Sequence, residues 1–336
     1  MTGERLDVVG IGNALVDVLS NESHEFITAQ GLTPGAMTLI DTERAEQLYA
    51  AMGPAVEISG GSAANTLVGV TSMGGSAAFV GRVADDQLGT VFGHDIRAAG
   101  VEFVAKPASG GEPSGRCLIV VTPDAQRTMN TFLGASAQLG PADVDHELVT
   151  RGQVLYLEGY LWDEPDAKAA YRLAARAAHD AGNRVAFTLS DAFCVERHRA
   201  EFVDLVASEV DVLFANEAEI TSLYEVEHFD DALQHVQHHC EIAALTRSEK
   251  GAVVVTRDEV HVIDAHPVAH VVDTTGAGDQ FAAGFLFGLT HGYHFGTAAR
   301  LGALAAAEVI GHMGARPEAS LATLAGPLLT QSERAS

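Results

Sequence analysis

Asp273-Thr274-Thr275-Gly276-Ala277-Gly278-Asp279, followed by QFAAGFLFGL (280–289), is the stretch from which the rest of the chain can be read. Two carboxylates bracket a turn of small residues. From Phe281 onward the sequence is apolar on all sides, which predicts a buried helix. The turn then stands at a helix N-terminus, where backbone N–H groups lack partners and the dipole favours an anion. Gly276, Ala277 and Gly278 have little or no side chain, so a phosphate can approach their amides. Asp279 beside that phosphate does not help to bind it, since like charges repel. It makes sense as a base that takes a proton from a hydroxyl attacking phosphorus. A capped glycine turn with a solvated acid would explain a lone Gly-x-Gly. Two aspartates in this frame ahead of a buried helix favour the chemistry. No Gly-Lys-Ser/Thr follows the glycines, so the frame is not a P-loop.

Outward from that stretch, apolar runs alternate with helical patterns. LDVVGIG (6–12), AAFVGRV (77–83), VEFV (101–104), VLYLEGY (154–160), RVAFTLS (184–190), VDVLFA (210–215) and IAALTRS (242–248) read as buried strands. VVVT (253–256) and VHVI (260–263) add further β structure. Helices are expected over 41–52, with Asp41 as N-cap, and over 86–99, 166–181, 195–207 and 297–310. The alternation predicts an α/β fold, a doubly wound and mostly parallel sheet whose ligands bind outside the strand C-termini. Two stretches depart from it. Residues 15–40 are irregular, with Gly31, Pro34 and Gly35 as punctuation, and GRCLIVVTPDAQRTMNTF (115–132) reads as a hairpin about Pro123-Asp124-Ala125. These form a candidate β lid, from about 15–40 and 105–133, inserted in a single unit spanning 1–336. Gly10-x-Gly12 is not a dinucleotide fingerprint, because Leu15 holds the third glycine position and no capped helix follows directly.

The chain has 336 residues, 47% of them hydrophobic, so a sizeable core is available. Its 45 acids against 20 bases give a net charge of −25, which argues against nucleic acid or an anionic membrane as partner. An anionic substrate must then be held by local features. Cys117, Cys194 and Cys240 lie far apart without CxxC spacing and read as reduced thiols. No signal-peptide pattern opens the chain, and the apolar runs near 281–289 and 301–310 are too short to span a bilayer. A cytoplasmic protein, monomeric or homodimeric, is expected. His235 and His239 stand four apart with no second ligand pair, so a solvated helix face is the better reading than zinc.

Ser59-Gly60-Gly61-Ser62-Ala63-Ala64-Asn65 reads as a glycine turn feeding a helix of small residues, or as a close backbone approach to a ligand with Asn65 facing it. Asn216-Glu217-Ala218-Glu219 opens a helix after a strand. A capping arrangement accounts for it, and so does a pair holding phosphate and Mg²⁺. With DTTGAGDQFAAGF (273–285), these segments resemble the ribokinase-like (PfkB) family of sugar and nucleoside kinases over nearly the whole chain. The resemblance implies ATP as phosphoryl donor, Mg²⁺, and a nucleotide site within 190–320. By position it makes Asp279 the catalytic base, the Gly276–Gly278 amides the anion hole, and Asn216 and Glu219 the phosphate and Mg²⁺ holders, Glu219 through water. It places Thr246 and Gly251 at the nucleotide, although Ser248 stands where many relatives have Gly. It also pairs Asp273 and Thr275 with the loop Gly311–Arg316 at a monovalent cation such as K⁺. Arg127, opening the second lid strand, is either a surface residue on an edge or, as in the family's adenosine kinases, a phosphate contact.

The substrate is approached through Asp17, whose carboxylate can accept from two neighbouring hydroxyls of a sugar. Asn13 and Asp17 stand four apart, resembling the start of adenosine kinases, whereas ribokinases place them two apart. Phe193, in Ser190-Asp191-Ala192-Phe193, matches the residue that stacks on adenine there; a core aromatic is the alternative. Asn13, Asp17, Gly60, Gly61, Asn65 and Phe193 are therefore the expected nucleoside contacts. The expected activity is ATP-dependent phosphorylation of the 5′-hydroxyl of adenosine. The alternatives are a ribose or fructose kinase of the same family, and a nucleoside-binding protein without catalysis.

Overall fold

The computed structural model describes residues 4–103, 108, 110–124 and 126–330. Its strands are Leu6–Ile11 (β1), Leu15–Asn21 (β2), Met37–Leu39 (β3), Ala55–Gly60 (β4), Ala77–Val80 (β5), Glu102–Phe103 (β6), Gly115–Val121 (β7), Arg127–Phe132 (β8), Gly152–Glu158 (β9), Arg184–Thr188 (β10), Val212–Asn216 (β11), Ile242–Thr246 (β12), Ala252–Thr256 (β13) and Val260–Ile263 (β14).

Nine of them form one sheet in the order β14-β13-β12-β11-β10-β9-β1-β5-β6. All pairings from β6 to β12 are parallel; β13 and β14 extend the edge antiparallel. Every residue of β1 is buried, because helices cover both faces of the sheet. Val9 and Ile11 pack into one core, with the helices Pro165–Asp180 and Ala192–Ser208. Val8 packs into the other, with Ser62–Ser72, Ala277–Thr290 and Phe295–Val309. The helix Ala277–Thr290 is buried all round from Gln280 to Gly288. It admits its neighbour closely because Gly284 and Gly288 lack side chains; a Cβ at Gly284 would lie 2.5 Å from the Leu301 carbonyl. Connections leave β1 and β9 in opposite directions along the sheet. The crevice outside their C-termini, at Gly12-Asn13 and Glu158, is therefore the expected ligand position.

A second, five-stranded sheet has the order β3-β8-β7-β2-β4. The expected hairpin is its antiparallel pair β7–β8, while β2 lies parallel to β7 and antiparallel to β4. The ranges expected for the lid omit Ala55–Gly60, which closes this sheet as β4 and leads into the glycine turn. The stretch that looked irregular holds β2, the helix His24–Ala29 and β3. Residues 104–107 and 109, and Ala125 of the hairpin turn, lie outside the described residues, as does the chain end beyond 330.

Candidate active site

Gly276 caps the helix Ala277–Thr290 with φ 78°, and a Cβ there would lie 2.6 Å from the Ala315 backbone, so both conformation and packing require glycine. Nothing lies within 4 Å of a Cβ placed on Gly278, so packing does not ask for glycine at that position. The Ala277 amide is not free for an anion as expected: it turns back to the Thr274 carbonyl at 3.2 Å. The helix-start amides of Gly278 and Asp279 remain.

Asp279 accepts from Ser62 Oγ at 2.6 Å, and Asn65 Nδ2 makes a long contact of 3.5 Å to its other oxygen. Burial pushes its carboxyl up to about 7, against the Ser62 bond, with Glu158 and Asp17 adding negative charge nearby. A base poised near neutrality is what proton abstraction at ordinary pH needs. A base works only when ionised, and the raised value extends the protonated range upward. The rate constant kcat/KM is therefore expected to climb with pH up to about 7 and then level, as a pH series of initial rates would record. Ser62 and the fully buried Gln280 are functional residues the sequence reading missed. Gln280 Nε2 donates to the Asn65 and Ala315 carbonyls, both at 3.0 Å, and so fixes the base's helix against two neighbours. Its one signal was a polar residue opening an apolar run.

Asp17 enters from β2. A Cβ on Gly60 would lie 2.4 Å from its carboxylate, so Gly60 makes room for it. Burial raises Asp17 to about 6, while Arg316 and Arg127 pull it down. Gly61 caps the helix Ser62–Ser72 with φ 97°, and a Cβ there would strike the Asn13 carbonyl at 2.2 Å. Asn13, expected at the nucleoside, has its side chain bonded to protein partners. It is 2% exposed; its Nδ2 donates to Glu158 at 2.8 Å and its Oδ1 accepts from Ser136 at 2.9 Å. Glu158, fully buried, also accepts from the Asn13 and Ala63 amides at 2.9 and 2.7 Å, and burial raises its pKa. Gly12 is glycine because a Cβ would lie 2.5 Å from that carboxylate. A glutamate ending the apolar run VLYLE was the signal for Glu158. Asn65 is a bridge: Arg316 Nε donates to its Oδ1 at 3.2 Å, and Arg316 Nη1 pairs with Asp95 at 3.1 Å.

At the other side of the cleft, Asn216 caps the helix Glu217–Tyr224. Glu219 closes a capping box: its amide donates to Asn216 Oδ1, and its carboxylate accepts from the Asn216 amide, both at 2.9 Å. Burial raises Glu219 to about 7, with Asp191 and Asp279 contributing. The Tyr160 phenol sits among the same three acids, which with burial hold its pKa high, and donates to the Ser190 carbonyl at 3.2 Å. Among the described residues, no three His, Cys, Asp or Glu side chains converge to hold a metal by themselves. Thr246 stands in register beside Asn216 at the strand C-termini. Gly251 must be glycine for packing: φ is 84°, and a Cβ would clash with the Ile263 carbonyl. Ser248, in place of the family's glycine, still takes the left-handed backbone, φ 52°. Phe193 is no core aromatic. It is 58% exposed in the first turn of Ala192–Ser208, with the Arg197 guanidinium 4.8 Å above its ring.

Arg127 is no surface residue. Its Nη1 lies 2.8 Å from Asp273 Oδ2, and the two side chains are 9% and 7% exposed. Asp273 also accepts from the Thr275 amide and hydroxyl at 3.0 and 2.7 Å and from the Gly314 amide at 2.9 Å. These bonds use the roughly four acceptor positions of the Asp273 carboxylate, at the place where the resemblance implies a monovalent cation held with Thr275.

An acid of raised pKa in the first turn of a glycine-capped helix, with another carboxylate brought in by the second sheet, suits a phosphotransferase with a hydroxyl acceptor. The chain belongs to the pfkB family of carbohydrate kinases, whose family model matches residues 32–321. Family membership implies ATP as donor. An adenosine kinase structure from Sinorhizobium meliloti is 53% identical, covering 96% of this chain and 99% of that one, with a TM-score of 0.89. A probable sugar kinase from Rhizobium etli is 49% identical, covering 97% and 99%, with a TM-score of 0.90. A 5-dehydro-2-deoxygluconokinase from Geobacillus thermodenitrificans is 26% identical over 91% of this chain and 87% of its own. The protein is thus a sugar or nucleoside kinase of this family.

Proposed function

We propose that the protein transfers the γ-phosphoryl group of ATP to the 5′-hydroxyl of a nucleoside, adenosine foremost. The observation that carries the nucleoside reading is the face of the second sheet on which Asp17 stands. Ile58, Asp17, Cys117, Thr131 and Leu39 are in register across all five strands and therefore share one face. Ile58 and Leu39 are exposed, and so are Val56 and Met37 on the same face one pleat further on. A carboxylate for sugar hydroxyls beside an apolar wall suits a molecule that is a sugar at one end and a flat base at the other. A free hexose has nothing to set against that wall. Phe193 offers a second apolar surface, and the likeness to the Sinorhizobium meliloti adenosine kinase supports the same reading.

In this mechanism Asp17 accepts from the ribose hydroxyls. Asp279, ionised, takes the proton of the 5′-hydroxyl as its oxygen bonds to phosphorus. The amides of Gly278 and Asp279 receive the oxygens of the transferring group, and ADP leaves with the bonding electron pair. Glu219 would hold Mg²⁺, which would neutralise the negative charge of the ATP phosphates. ADP release from ATP-Mg, run in parallel with adenosine, guanosine, inosine, ribose and fructose, tests the assignment. Turnover with adenosine is expected; turnover with a free sugar alone would discard it in favour of a sugar kinase, which the Geobacillus relative suggests. Phe193→Ala is expected to raise KM for adenosine by about 5- to 150-fold, the equivalent of about 1–3 kcal/mol of lost stacking, with kcat little changed. A KM unmoved in the same assay would remove Phe193 from the base site.

A further inference from the structure

The ion pair Arg127–Asp273 joins the second sheet to the turn that starts the helix of the catalytic base. The Asp273 side chain is almost wholly buried and stands three residues before Gly276, the cap of that helix. Left uncompensated, its charge would be costly to bury and would repel an incoming phosphate. Some positive charge has to sit there. In a cation-dependent arrangement the neighbouring loop would contribute carbonyl oxygens to an ion. Here the Ile310 carbonyl accepts from Val272 at 2.8 Å, the Ala315 carbonyl from Gln280 at 3.0 Å, and the Met313 carbonyl lies 3.2 Å from His312 Nδ1. The Arg127 guanidinium bonds Asp273 and also reaches the Thr275 hydroxyl at 3.3 Å. Its Nε and Nη2 are buried with no hydrogen-bond partner among the described residues, and its charge lowers the pKa of Asp17.

We propose that Arg127 is a built-in replacement for a monovalent cation at Asp273, so that catalysis does not depend on K⁺ and the compensating charge is delivered by the second sheet. The sheet that presents Asp17 to the substrate then also completes the electrostatics of the anion hole.

The experiment compares wild type, Arg127→Met and Arg127→Lys in KCl and in tetramethylammonium chloride at equal ionic strength. The rate arm uses adenosine and ATP-Mg, and rests on the nucleoside-kinase reading. Wild-type rates in the two salts should agree within about twofold, whereas R127M should lose about tenfold or more in tetramethylammonium and recover in part with K⁺. R127K keeps a cation beside Asp273 and should remain indifferent to K⁺. The second arm needs no substrate: the melting temperature of each full chain in the two salts. A K⁺-specific upward shift is expected for R127M alone, because a cation that binds only the folded state stabilises it. If no acceptor turns over, the functional reading falls while the melting comparison still decides this one. Wild type activated or stabilised specifically by K⁺, or an R127M protein indifferent to K⁺ in both arms, overturns the proposal.

Discussion

Asp279→Asn is expected to lower kcat by about 10²–10⁴-fold while leaving nucleoside affinity almost unchanged. The substitution keeps the shape of the side chain, and its oxygen can still accept from Ser62, whose hydroxyl lies 2.6 Å from the carboxylate. What it removes is the ability to take a proton. On the proposed mechanism the ground-state contacts to the substrate come from Asp17 and the apolar face of the second sheet, which the change does not touch. Affinity should therefore survive while turnover does not, and calorimetric titration with adenosine beside steady-state ADP release reads the two separately. Two other carboxyls nearby also titrate high, Asp17 at about 6 and Glu219 at about 7. Unchanged turnover in D279N would move the base to one of them, and Asp17→Asn and Glu219→Gln would say which. Neither is positioned like Asp279, whose own amide belongs to the first turn of the helix Ala277–Thr290.

Glu158→Ala should produce the largest loss of stability, about 3–5 kcal/mol, seen as a lower midpoint in urea denaturation. The carboxylate accepts from two backbone amides and one side-chain amide, all buried, and links β9 to the segment after β1 and to the glycine turn after β4. Its removal leaves three N–H groups without partners and a cavity against Gly12. Because Ser62 follows that turn, the loss should also loosen the hydrogen bond that holds Asp279, and turnover should fall with stability. Glu158→Gln keeps the volume and most acceptor sites and should cost less than Ala. Denaturation midpoints that coincide for wild type and E158A would show that water or local rearrangement satisfies these amides, and would cancel the argument for Glu158 as the organiser of the site.

The pattern of strands and helices was legible because period and length are local properties. The buried helix after Asp279, the hairpin at 115–132 and the capping pair Asn216–Glu219 all declare themselves within a few residues. β4 escaped notice because an edge strand of a small sheet is mostly exposed; AVEISG carries no run of apolar residues to mark it. Asn13 and Ala277 were placed on ligands by resemblance of position, yet the Asn13 side-chain amide donates to Glu158 and the Ala277 amide to the Thr274 carbonyl. Nothing in the neighbouring residues announces such partners, since Glu158 is 145 residues from Asn13.

By itself the sequence determined the fold class, the glycine-capped helix start and the acid that follows it. These depend on hydrophobic period, backbone freedom at glycine and the missing partners of the first helical amides, all decided within one or two turns of chain. The tertiary structure alone decided how the charges are shared. Asp279 is raised by burial among other acids, Asn65 is divided between Asp279 and Arg316, and Arg127 is spent on Asp273 rather than left on a surface edge. Burial and electrostatic interaction depend on distance in space, and the groups concerned are brought together from segments as far apart as residues 65 and 316 only when the chain folds.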